Sequence, residues 1–115
     1  MVRLYIDEKV EGLDVNDTNA VSSWFKVEGC EEIIIYVESM TGTSATFDVC
    51  LEISPDGTFN GGCYKDPDGT EAKVQGEGHF QCHDTVPVEY VRVHCVVAEG
   101  SAATADIYIQ GFRKV

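Results

Sequence analysis

Apolar residues in this chain recur at every second position in several stretches and almost nowhere at helical spacing, which is the pattern of strands with one buried side. The clearest stretch runs from Ser44 to Ser54. Ala45, Phe47, Val49, Leu51 and Ile53 share one side, and Thr46, Asp48, Cys50 and Glu52 share the other, predicting a strand with one dry and one wet face. From Tyr90 to Val97 the set Val91, Val93, Cys95 and Val97 alternates with Tyr90, Arg92 and His94. Pro87 lies just ahead of that strand, where its missing N–H is tolerated. From Ala103 to Phe112 the residues Ala103, Ala105, Ile107 and Ile109 alternate with Thr104, Asp106, Tyr108 and Gln110.

Further strands are predicted over Ser22 to Glu28 and over Glu32 to Ser39, whose run Ile33-Ile34-Ile35-Tyr36-Val37 suits a strand that is either buried on both faces or central. Gly29-Cys30 and Met40 to Thr43 read as turns, so the middle of the chain reads as an antiparallel meander, and Glu99-Gly100-Ser101 reads as a hairpin turn joining the last two strands. Val2 to Ile6 predicts a short first strand. Asp7 to Ala20 is too rich in Asp, Asn and Glu to look like a core element and reads as a polar arm. Between Pro55 and Glu77 the chain is loop-rich, with Pro55-Asp56-Gly57-Thr58 and Pro67-Asp68-Gly69-Thr70 both matching β-turn chemistry. About seven or eight short strands separated by turns, with no crossover helix, predict an all-β antiparallel sandwich of jelly-roll type. Residues 1–20 form the N-terminal strand and arm, and residues 21–115 form the sandwich.

Composition narrows the function classes. A chain of 115 residues holds one two-layer core, and no apolar run is long enough to cross a bilayer as a helix. A net charge of −12 repels phosphate backbones and anionic membranes, so neither nucleic acid nor membrane is an expected partner. Arg3 followed closely by Asp7 and Glu8 breaks any signal-peptide apolar region, predicting a chain made in the cytoplasm without Sec-dependent export. The five cysteines cannot all pair within one chain, and most read as reduced, buried residues.

Candidate chemistry is sparse. His79, Cys82, His83, His94 and Cys95 could suggest zinc or a Cys–His nucleophile, but adjacent residues on a strand face opposite sides and the spacing matches no zinc knuckle. Calcium suits the acidic turns better, with Asp56, Asp66 and Asp68 as the candidate ligands and no other cofactor implied. Turn formation accounts for the Asp-Gly pairs unaided. No carboxylate pair sits in a glycosidase-like setting, so no enzyme is expected. Trp24, Tyr36, Tyr64, Tyr90 and Tyr108 are the candidate binding residues, since outward aromatics on a sheet stack on sugars or anchor protein interfaces.

The succession Val21-Ser22-Ser23-Trp24-Phe25-Lys26-Val27-Glu28-Gly29, Ile33 to Ser39, Thr46 to Ile53, Ser54-Pro55-Asp56-Gly57-Thr58 and Glu89-Tyr90-Val91-Arg92-Val93 resembles small β-sandwich virion proteins of tailed bacteriophages. The resemblance implies a capsid-decoration, head-fibre or tail-associated subunit that binds the major capsid protein or another virion protein. It also implies a homo-oligomer, trimeric in many such proteins, residing in the virion, and it carries over no catalytic residue. The cysteine content departs from that family's pattern. The alternative is a carbohydrate-binding module using the same exposed aromatics.

Overall fold

The computed structural model of the chain describes residues 2–27, 30–41, 46–65, 68–82, 89–99 and 103–114. Eight strands are formed: β1 (Val2–Asp14), β2 (Phe25–Lys26), β3 (Glu32–Thr41), β4 (Thr46–Ser54), β5 (Lys73–Gln75), β6 (Gly78–Cys82), β7 (Tyr90–Glu99) and β8 (Thr104–Lys114). They build two four-stranded sheets, ordered β1-β8-β3-β6 and β2-β7-β4-β5. Every pairing within them is antiparallel. This interleaved order is that of a jelly roll, two sheets packed face to face with the chain passing between them.

The alternating sets supply the core. Ile33, Ile35, Val37, Ala105, Ile107 and Ile109 from the first sheet meet Phe47, Val49, Leu51, Val91, Val93 and Cys95 from the second, and all are buried. Each sheet therefore presents one face inward, as the period-two reading requires.

Partner choice departs from the sequence reading. Among the described strands, only β4 and β5 are consecutive and pair directly. The expected meander does not form, because β3 and β4 lie in opposite sheets, and β7 and β8 are likewise split instead of making a hairpin. Alternation states which side of a strand is buried and says nothing about which strand lies beside it. Two elements also have different extents. The strand expected over Ser22 to Glu28 contracts to Phe25–Lys26, and the loop-rich segment contains β5.

The first strand is the larger correction. It does not stop at Ile6 but continues to Asp14, paired with β8 along its length, so residues 7–14 belong to the sheet and not to a free arm. Register shifts between Leu4 and Ile6 and between Val10 and Leu13 disguise it. Ile6 and Val10 pack against the core from even positions, whereas Leu13 and Val15 are buried at odd ones. Gly12 takes φ of 65° in the second irregularity, and its N–H donates to Asp106 Oδ1 at 3.0 Å. A positive φ suits glycine, and the carboxylate satisfies a donor left out of the ladder. At this sheet edge Glu8 stands opposite Ile109 yet stays exposed, a charge that discourages pairing with a further strand.

Candidate functional site

The two outer faces of the sandwich are treated differently by the chain. On the β2-β7-β4-β5 sheet, the side of β4 expected to be wet is dry: Asp48, Cys50, Glu52 and Ser54 are 7, 0, 3 and 1% exposed. Two stretches pair with the sheet's free edges, and the side chains of Cys63 and Trp24 reach over its outer side. After β4 the chain returns along the strand, with Tyr64 N–H donating to Leu51 O and Gly61 N–H to Ile53 O, and a Cys50–Cys63 disulfide fastens it. Cys50 and Cys63 are therefore joined, outside the reading of most cysteines as reduced, while Cys30 and Cys95 are buried and take no part in that bridge. The segment before β2 pairs with the other edge of β7, through Ser22 N–H to Val93 O and Cys95 N–H to Ala20 O.

On this outer side lies a charged cluster. Glu52 accepts from Arg92 Nε and pairs with His94 Nδ1, each at 2.7 Å, and His94 Nε2 faces the Thr18 carbonyl. Trp24 lies against Arg92, whose guanidinium carbon is 4.4 Å from the ring centroid. Burial pushes the Glu52 carboxyl up, but the hydrogen bonds and charges of Arg92 and His94 outweigh it and hold the group below the ordinary glutamate range. All the polar partners face one another, which is the arrangement of a structural cluster and leaves little for a ligand.

Three of the five candidate aromatics are absorbed here. Trp24 is half-buried on Arg92. Tyr64 packs against the core, and Tyr90 lies beside Gly57, where an added methyl would stand 3.3 Å from the Tyr90 ring. Two of the candidate calcium ligands, Asp56 and Asp68, accept hydrogen bonds within turns. Asp56 Oδ1 accepts the N–H groups of Thr58 and Phe59, which hold its carboxyl below the usual aspartate range, and Asp68 Oδ1 accepts from Thr70 N–H and Oγ1. Asp66 lies outside the described residues, as does His83. Among the described residues no three His, Cys, Asp or Glu side chains gather as a metal-ligand group.

The outer face of β1-β8-β3-β6 is open. β3 is central as expected but is not buried on both sides: Ile34 is half-buried and Tyr36 is 39% exposed. Tyr36 stands directly opposite Tyr108 of β8 and His79 of β6, and Tyr108 stands opposite Lys9 of β1. One row of Lys9, Tyr108, Tyr36 and His79 thus crosses the whole sheet. The Tyr36 and His79 rings are 6.1 Å apart, and Lys9 Nζ lies 5.3 Å from the Tyr108 ring centroid. Tyr108 and Asp106 raise the Lys9 ammonium above its ordinary value, against a smaller opposing effect of desolvation, so it is cationic at neutral pH. A groove of about 540 Å³ lies along Tyr108, Tyr36 and His79, rimmed by Glu38 and Glu77.

Of the sequence candidates, Tyr36 and Tyr108 are therefore brought together, and Trp24, Tyr64 and Tyr90 are not. Lys9 was missed, and His79 was weighed only as a metal ligand or catalytic base and not as a member of this row. His79 alternates with Phe80 in β6, a short period-two signal, whereas Lys9 lay in the stretch read as an arm.

No protein-family model matches the sequence, and no curated protein matches it. Among solved structures, the SPBc2 prophage-derived protein YomS is similar in fold, with a TM-score of 0.50, 12% identity and coverage of 94% of each chain. The Yersinia pseudotuberculosis-derived mitogen gives a TM-score of 0.46 at 12% identity, covering 99% of this chain and 86% of its own.

Proposed function

We propose that the chain is a non-enzymatic recognition subunit of a phage-type particle, of the decoration, head-fibre or tail-associated kind. The observation that carries this reading is the asymmetry of the sandwich. One outer face keeps the polar side of β4 buried under a disulfide and a self-satisfied charged cluster, whereas the other carries a registered row of Lys9, Tyr108, Tyr36 and His79, one residue from each strand. Tyr36 is exposed and Tyr108 half-buried beside it, and a rigid sheet holds such adjacent rings ready for a partner. The jelly roll serves both viral capsid and lectin domains, so it suits a particle-borne recognition role. The prophage origin of YomS, a protein of similar fold, points the same way.

The test is biochemical. Particles purified by density gradient from the organism that encodes the chain are expected to contain it in a fixed number of copies, measured by quantitative mass spectrometry. Recovery only in the particle-free lysate would contradict the proposal.

A further inference from the structure

The open face carries a chemistry that narrows what it can hold. With strands about 4.8 Å apart, the row from Lys9 through Tyr108 and Tyr36 to His79 runs about 14 Å. The next row on one side is Asp7, Gln110, Ile34 and Gln81, also in register across the four strands. On the other side Glu38 stands opposite Asp106, with Glu77 at the end of the groove. The aromatic surface is therefore bordered by Gln110 and Ile34 on one flank and by the Asp106 and Glu38 carboxylates on the other.

We propose that this row is a binding groove for a neutral carbohydrate chain, with Tyr36 and Tyr108 as stacking platforms and Glu38, Glu77 and His79 as hydrogen-bonding partners for hydroxyl groups. The proposal rests on the reading of this face as the recognition surface. A sugar ring has an apolar C–H face and a rim of hydroxyls, so it can lie on an aromatic ring while supplying a donor to each neighbouring carboxylate. A protein partner fits less well. The centres of protein interfaces are depleted of charge, and Glu38 and Glu77 beside the rings would have to be desolvated without dense donors to receive them. Charge disfavours the acidic glycans: Lys9 and Lys73 are paired with Asp106 and Asp48, and a chain of net charge −12 with Glu38 and Glu77 at the groove repels sulfated, phosphorylated or sialylated sugars. The groove also continues. A second depression shares Glu77, Gly78 and His79 with the first and extends along Lys73, Val74 and Phe80, so a polymer can run past the β5–β6 turn.

The experiment is a glycan-array screen of the intact protein with neutral, N-acetylated and polyanionic oligosaccharides, followed by calorimetric titration of the best neutral probe. Saturable binding to a neutral oligosaccharide is expected, with none to sulfated or sialylated probes. Tyr36→Thr and Tyr108→Thr, which keep strand propensity, are each expected to weaken binding about tenfold or more. Trp24→Ala, on the opposite face, is expected to leave the affinity unchanged. Absence of neutral-glycan binding, preference for polyanions, or affinity indifferent to both tyrosine substitutions would overturn the proposal. A particle protein that binds this face, loses binding in the same variants and leaves no sugar bound would also overturn it, while the recognition surface would stand. Failure to find the chain in particles would count against the particle role alone and leave sugar binding untouched.

Discussion

At the scale of single residues, Glu52 is the side chain on which the buried polar side of β4 depends. It is the shared acceptor of Arg92 and His94, so Glu52→Gln leaves two basic groups facing a neutral amide. The expected loss is about 2–3 kcal/mol, at or below the lower end for breaking a buried pair because Arg92 and His94 keep some solvent contact. The sign with pH follows from its lowered folded value. As pH falls, the unfolded chain takes the proton first, so the contribution is full above the ordinary glutamate value of 4.5 and is lost as pH drops through the lower folded value. Urea midpoints of wild type and Glu52→Gln should differ clearly at about pH 7 and converge in strong acid. A difference that stays constant with pH would contradict the assignment.

A second residue-scale dependence joins Gly111 to Cys30. A methyl on Gly111 would come 2.5 Å from the Cys30 sulfur and 3.4 Å from Ile6 Cβ, so the buried thiol occupies the space that glycine vacates. Burial pushes the Cys30 thiol above its ordinary value, with Arg113 opposing weakly, which fits a packing role for a neutral group. Gly111→Ala is expected to lose about 1–3 kcal/mol, and Cys30→Ala placed with it should recover part of that loss in urea unfolding. Simple additivity of the two would show that the contact is not what limits the site.

At the scale of elements, β1 and the disulfide-fastened return after β4 are the two pieces whose roles the structure redefines. Deleting residues 2–14 removes an outer strand paired along its length with β8 and takes Leu13 from the core, so the remaining chain is expected to lose cooperative unfolding by circular dichroism. A truncated chain that unfolds cooperatively would restore the idea of a dispensable arm. For the return segment, the Cys50–Cys63 bridge spans a separation of 13 residues, a loop whose closure is worth about 3 kcal/mol in the chain-entropy account. The Cys50→Ala/Cys63→Ala variant is expected to lose about 2–3 kcal/mol and to speed hydrogen exchange at Gly61 and Tyr64 before the core amides. Uniform acceleration across the chain would argue that the bridge does not act locally.

These elements also show what alternation can carry. The inward sets Val91, Val93 and Cys95, and Ala105, Ile107 and Ile109, are buried as the sequence pattern predicts. The continuation of β1 escaped because its irregularities move the apolar residues from even to odd positions, which erases a period-two signal. The dryness of Asp48 and Glu52 escaped because it depends on tertiary partners, Lys73 for Asp48 and Arg92 and His94 for Glu52, and no feature of β4 itself announces them.

At the scale of the whole molecule, the same limit governs the candidate site. Tyr36 and Tyr108 were legible as outward aromatics, but so were Trp24 and Tyr90, and only tertiary register and the loops distinguish an aligned open row from rings used as lids. The central claim is that the two faces divide their tasks, one for stability and one for recognition. Equilibrium urea unfolding of Trp24→Ala beside Tyr36→Thr/Tyr108→Thr tests it most directly. The account expects Trp24→Ala to lose about 1–2 kcal/mol through exposure of Arg92, and the tyrosine pair to stay within about 0.5 kcal/mol per site. The reverse order, a neutral Trp24 and a strongly destabilising tyrosine pair, would mean that the open face is structural and the account is wrong.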